Sequence, residues 1–204
     1  MDLNYLNKIQ YDSVRVGNQT WMSEDLHVTT YRNGDPICQA IDDGHWVYLG
    51  ECRIGAFYFY EINSTTRILY NGYAVNDPRE LAPERWQIPT IEYWETLITH
   101  LGGIEVAGGI LKDTSSKSWI SPNIGATNSA GFSAVGAGCK ELLDGGNYTK
   151  GIVTGYWTKT ASQSVSRVDN NIFLLRHDSA SIKRMDGYSE CGQSVRCIRI
   201  DSTC

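Results

Sequence analysis

The chain has 204 residues, 18 Lys and Arg against 23 Asp and Glu for a formal charge of −5, and 41% hydrophobic residues that include 6 Trp and 12 Tyr. That is ample material for a packed core, and it excludes a disordered chain. An acidic balance without a Lys/Arg run argues against a nucleic-acid groove and against a basic membrane-surface patch, and no apolar run approaches the roughly 18 residues that span a bilayer. No membrane insertion and no nucleic-acid partner are therefore expected. The start, Met1-Asp2-Leu3-Asn4-Tyr5-Leu6, lacks the positive charge and apolar run of a secretory signal.

In chain order, Val14-Arg15-Val16 leads into a Gly17-Asn18 turn and returns as Gln19-Thr20-Trp21-Met22, the pattern of a β-hairpin. Residues 90–101 read as an amphipathic helix. Pro89 precedes it, Thr90 stands at the cap, and Glu92 lies in the first turn, where the dipole favours an anion. Ile91, Trp94, Leu97, Ile98 and Leu101 then share one face, and Gly102-Gly103 stops it. A shorter helix is expected over residues 106–112, although Gly108-Gly109 costs it about 1 kcal/mol each relative to Ala.

Residues 115–154 are rich in Gly, Ser, Asn and Thr with scattered anchors at Trp119, Phe132 and Tyr148, which predicts loops wrapped on a scaffold. In residues 156–190, polar and aromatic residues alternate with apolar anchors at Val165, Ile172, Phe173, Leu174 and Leu175 that can hold strands. Residues 194–200 alternate as a sheet strand, with Val195, Cys197 and Arg199 on one face and Arg196, Ile198 and Ile200 on the other. No repeat or linker divides the chain, so one α+β domain over residues 1–204 is expected. Cys38, Cys52, Cys139, Cys191, Cys197 and Cys204 lack paired C-x2-C spacing, so isolated thiols or one or two disulfides fit better than structural zinc.

The anchors fall in a recognisable order. Val16-Gly17-Asn18-Gln19-Thr20-Trp21-Met22-Ser23-Glu24-Asp25-Leu26 is followed by Tyr31-Arg32-Asn33-Gly34-Asp35-Pro36-Ile37 and Leu69-Tyr70-Asn71-Gly72-Tyr73-Ala74-Val75. Then come Trp86-Gln87-Ile88-Pro89-Thr90 with Trp94-Glu95, Thr127-Asn128-Ser129-Ala130-Gly131-Phe132-Ser133-Ala134, Gly155-Tyr156-Trp157-Thr158 and Ser194-Val195-Arg196-Cys197. Together these blocks resemble the Fibrobacter succinogenes major paralogous domain over nearly the whole chain. That family is similar to C-type-lectin-like and formylglycine-generating-enzyme-like folds. The resemblance implies a lectin-like α+β domain of short antiparallel strands and long structured loops, with paired N- and C-terminal strands and a ligand-facing surface in the loop-rich part. The chain departs from the family at Gly72 and Tyr58, which leaves Cys52 and Cys191 as alternative disulfide partners for Cys197.

Tryptophans next to turns are usually core pieces, so Trp86 and Trp94 read as packing, while Trp157 beside Tyr156 is expected on the opposite strand face, one inward and one outward. Tyr with Ser, Asn and Arg is the composition of adaptable recognition surfaces. The resemblance places a ligand face there, which makes Tyr156, Trp157, Lys159, Asn170, Asn171, Arg176, His177, Asp178 and Tyr188 the candidate binding residues. A lectin-type calcium site would want Glu-Pro-Asn or Gln-Pro-Asp. The chain has neither, and Asp169-Asn170-Asn171 reads as a turn, so no metal and no cofactor are predicted. By resemblance to formylglycine-generating enzymes, Cys191 and Cys197 raise a copper-oxidase alternative, but their spacing suits a structural strand better. The expectation is a non-enzymatic recognition or adhesion module on a virion, such as a phage tail or fibre, or on a cell surface. It would bind a glycan or protein receptor, contact neighbouring subunits and form a homo-oligomer; a purely structural role is the alternative.

Overall fold

The computed structural model describes residues 10–62, 64–141, 143–159 and 170–200. Val165, Asp169, Cys204 and the side chain of Asn170 lie outside the described residues. Helices and strands mix in an α+β arrangement. β1 (Ser13–Val16) and β2 (Gln19–Met22) form the expected hairpin, with Val16 opposite Gln19. The two-residue turn needs a positive φ, and Gly17 supplies it at 61°. β11 (Ile198–Arg199) joins β2 on one side and β6 (Trp86–Gln87) on the other, so the two ends of the fold pair as expected.

A second sheet runs β10 (Gly192–Gln193), β5 (Thr65–Asn71), β4 (Ala56–Ile62), β3 (Cys38–Gln39). A third is the antiparallel meander β7 (Val153–Trp157), β8 (Asn170–Arg176), β9 (Ile182–Gly187). Four helices accompany them among the described residues: α1 (Asp43–Glu51), α2 (Gly72–Val75), α3 (Ile91–His100) and α4 (Ile104–Leu111). No helix there is long and apolar enough to cross a membrane.

α3 is the helix that periodicity predicts, burying Trp94, Leu97 and Ile98. Its cap differs in detail, because the Thr90 hydroxyl donates to the Glu92 carboxylate and makes no bond to the backbone. α4 begins two residues before the expected position, directly after Gly103. Its glycine pair has a packing cause: a Cβ on Gly108 would lie 2.3 Å from the Ser181 carbonyl oxygen, and one on Gly109 2.3 Å from that of Gly125. The helix therefore presses backbone to backbone against two loops, which a side chain would forbid.

Residues 194–200 are not one strand. Gly192–Gln193 and Ile198–Arg199 belong to different sheets, and the chain between them bonds to the end of β2 and the segment that follows it, with Met22 N–H donating to Cys197 O at 3.0 Å and Leu26 N–H to Val195 O at 2.8 Å. The alternation is real, but both of its faces are buried around Val195, Arg196, Cys197 and Ile198.

The described part of residues 113–152 contains single bridges and no helix or strand, as its composition suggests. Three buried cations hold these loops down. Arg196 donates to Asp25, to the Phe132 carbonyl and, at 3.2 Å, to Met22 O. Lys112 Nζ donates to the carbonyls of Ile124, Arg176 and Ser179 at 2.8–2.9 Å. Lys140 pairs with Asp43 beneath the Tyr58 ring, whose centroid is 3.8 Å away. Arg196 and Lys112 thereby satisfy buried acceptors that would otherwise be orphaned, whereas at Lys140 it is the buried ammonium that is satisfied by a half-exposed carboxylate.

Candidate functional site

The β7–β8 pair lies between two hydrophobic clusters. Tyr156, Phe173 and Leu175 join the cluster of Trp21, Trp94 and Phe132, whereas Trp157 and Ile172 join that of Tyr70, Trp86 and Cys197. Tyr156 stacks toward Trp94 at 5.5 Å between ring centroids, and the Trp157 indole N–H donates to Tyr70 O at 2.7 Å. Both side chains are 0% exposed. Alternation does send them to opposite faces, but both faces are interior. The expectation that one points outward is corrected: neither side chain reaches the surface. Burial of the phenol also pushes Tyr156 far above its ordinary range.

The remaining candidates divide between the two ends of β8. At one end, Lys159 ion-pairs with Glu80 at 2.8 Å and gives its N–H to Pro89 O at 2.9 Å. Asn171 accepts from Arg184 Nε at 2.8 Å, the backbone of Asn170 pairs with Gly187, and the exposed Tyr188 follows β9. At the other end Arg176 and Asp178 pair at 2.9 Å, which holds the Asp178 carboxyl below its usual range, and His177 Nδ1 lies 3.2 Å from Ser121 O. Six strand steps, about 20 Å, separate the groups. Arg176, His177 and Asp178 thus cannot share one small-ligand site with Lys159, Asn171 and Tyr188.

Sequence reasoning missed the outer strand. Residues 183–186, Lys-Arg-Met-Asp, are all exposed between buried Ile182 and Gly187. Arg184 additionally reaches Glu95 of α3 at 3.5 Å. A polar run following the apolar run of residues 172–175 was the available signal, since charged residues mark an edge strand whereas continuous apolar residues mark a strand covered on both faces. The accessible surface in this stretch therefore includes β9 with Tyr188, Asn171 and Lys159 at one end of β8, and Arg176 with Asp178 at the other. An open groove of about 540 Å³ lies elsewhere, between β1, the end of α3 and Ser129 to Gly131.

The candidate disulfide residues do not pair. Cys52 is exposed, Cys191 is half-buried, and Cys197 is enclosed in the core, all three as free thiols. Burial raises the Cys139 thiol to about 11 and the Cys191 thiol to about 12. Cys191 and Cys197 precede strands of different sheets, and among the described residues no group of three or more His, Cys, Asp or Glu comes together as metal ligands.

The profile of the Fibrobacter succinogenes major domain matches residues 14–199, and the chain belongs to that family. No curated protein matches it. Neither does any solved structure.

Proposed function

We propose that this member of the Fibrobacter succinogenes major domain family is a non-catalytic recognition or adhesion module with a C-type-lectin-like fold. It would be displayed on a virion, such as a phage tail or fibre, or on a cell surface, in several copies. Its ligand is a glycan or protein receptor, met by β9 and Tyr188. The observation that supports this reading is the contrast within one sheet: β7 and β8 are packed on both faces, while four consecutive side chains of β9 face solvent. A strand backed so firmly presents Lys183, Arg184, Met185 and Asp186 in fixed positions, which lowers the ordering cost of binding. Single contacts of this size bind weakly, so copies acting together supply the avidity.

The test is attachment to host cells and binding on a glycan array by the chain carrying Arg184→Ala and Tyr188→Ala. Both sites are exposed, so the thermal midpoint should hold while binding falls about tenfold or more. Unchanged attachment by the folded double variant refutes the assignment of the site. Loss of particle assembly with attachment intact would replace recognition by a structural role.

A further inference from the structure

The four most exposed large apolar side chains among the described residues are Leu143 at 89%, Ile41 at 75%, Tyr148 at 68% and Tyr48 at 57%. They come from segments about 100 positions apart in sequence, which the fold sets against each other. Gly145, at φ 69°, lies so close to the start of α1 that a Cβ there would sit 2.5 Å from the Asp43 carbonyl oxygen. The Lys140 ammonium binds the Asp43 carboxylate from below, between Tyr58 and Trp46. Within the loop, the Tyr148 ring covers Gly146 and its hydroxyl donates to Asp144 at 3.0 Å. On the helix side, Asp42 accepts the His45 N–H at 2.7 Å, and the His45 ring lies 6.4 Å from that of Tyr48 at an angle of 29°.

The resulting face is apolar and acidic together. Asp42, Asp43 and Asp144 carry its exposed carboxylates, whereas the Lys140 ammonium that pairs with Asp43 is fully buried beneath it. Lys150, at the far end of the loop, is turned to the Glu61 carbonyl at 2.8 Å. Exposed apolar side chains gathered on adjoining segments mark interaction surfaces, and the charges select the partner. A second copy, itself at −5, is opposed electrostatically. An arginine fits both features, since its methylenes lie on apolar side chains while its guanidinium pairs with carboxylates and covers a tyrosine face.

We propose that the face formed by the start of α1 and residues 143–148 docks an arginine-bearing, partly apolar segment of a protein partner. The surface is separate from β9 and does not depend on the recognition reading.

The probe is the peptide Ac-GRLGRLGRL-NH2 titrated into the full chain, followed by amide resonances, with the citrulline-for-arginine peptide as control. Shifts are expected at residues 41–48 and 143–148. Affinity should fall about tenfold with citrulline and again with Tyr148→Ala plus Asp144→Asn, and stay unchanged with Arg184→Ala plus Tyr188→Ala. The proposal is overturned if the shifts map elsewhere, or if the Tyr148→Ala, Asp144→Asn chain, shown folded by its thermal midpoint, binds as before. It is equally overturned if sedimentation shows chains self-associating through this face, or if neutral oligosaccharides move these resonances and the peptide does not. Loss of attachment through β9 variants with this face intact, or the reverse, separates the two proposals.

Discussion

Replacing Arg196 by Met tests the central claim about how the loops are held. The guanidinium is fully buried, as is its partner Asp25, and it donates to that carboxylate and to the carbonyls of Met22 and Phe132, with the Phe132 ring 4.2 Å from its charge centre. Methionine fills much of the same volume but leaves a carboxylate buried without a counter-charge and two carbonyls without a donor. Breaking one side of such a pair costs about 3–5 kcal/mol. For a chain of this length that corresponds to a fall in the melting midpoint on the order of 10 °C. Removing the orphaned charge as well, with Asp25→Leu, should recover at least half of the loss, because two apolar groups need no partners. Urea unfolding of the wild type, both single variants and the double variant gives the cycle. A cost below about 1 kcal/mol for Arg196→Met, or a double variant no more stable than that single one, would show that burial of the pair is not what matters.

Lys112 predicts a pH effect. Burial lowers its ammonium to about 8 against an ordinary 10.5, so between those values the unfolded chain binds more protons than the folded one. Stability relative to Lys112→Met should therefore rise as pH increases from about 8 to 10.5, measured by urea midpoints at each pH; a flat or falling difference contradicts the burial argument. Gly108→Ala sets propensity against packing. Alanine gains about 1 kcal/mol in an isolated helix, yet its Cβ would meet the Ser181 oxygen at 2.3 Å, so thermal melting should show net destabilisation and a gain would show that the loop yields.

Legibility in the sequence depended on whether a signal was local. α3 and the β1–β2 hairpin were readable because a 3.6-residue apolar stripe and a Gly-Asn turn each state their geometry within a dozen residues. The tryptophans at 86 and 94 were likewise readable as core. Tyr156 and Trp157 were misjudged because alternation reports which face a side chain takes and says nothing about what covers that face; here a cluster lies on each. α1 escaped notice because its buried set is only Trp46, Leu49 and Gly50, with glycine near both ends. Nothing in composition distinguishes Lys112 and Lys140 from ordinary surface lysines, since their burial is decided by loops returning from distant positions. The split of the candidate residues between the two ends of β8 has the same origin: closeness in number placed Arg176 near Asn171, and an extended strand pulled them apart.

The clasping of the loops by Lys140 and Lys112 has a consequence for engineering. Because the Leu143 and Tyr148 side chains face solvent from a loop whose backbone is fixed on α1, foreign side chains grafted at those two positions would be carried on an intact chassis. The same graft in Val153–Trp157 would collide with packed side chains on two sides. Diversity in this architecture has room at the tips and none in the spine.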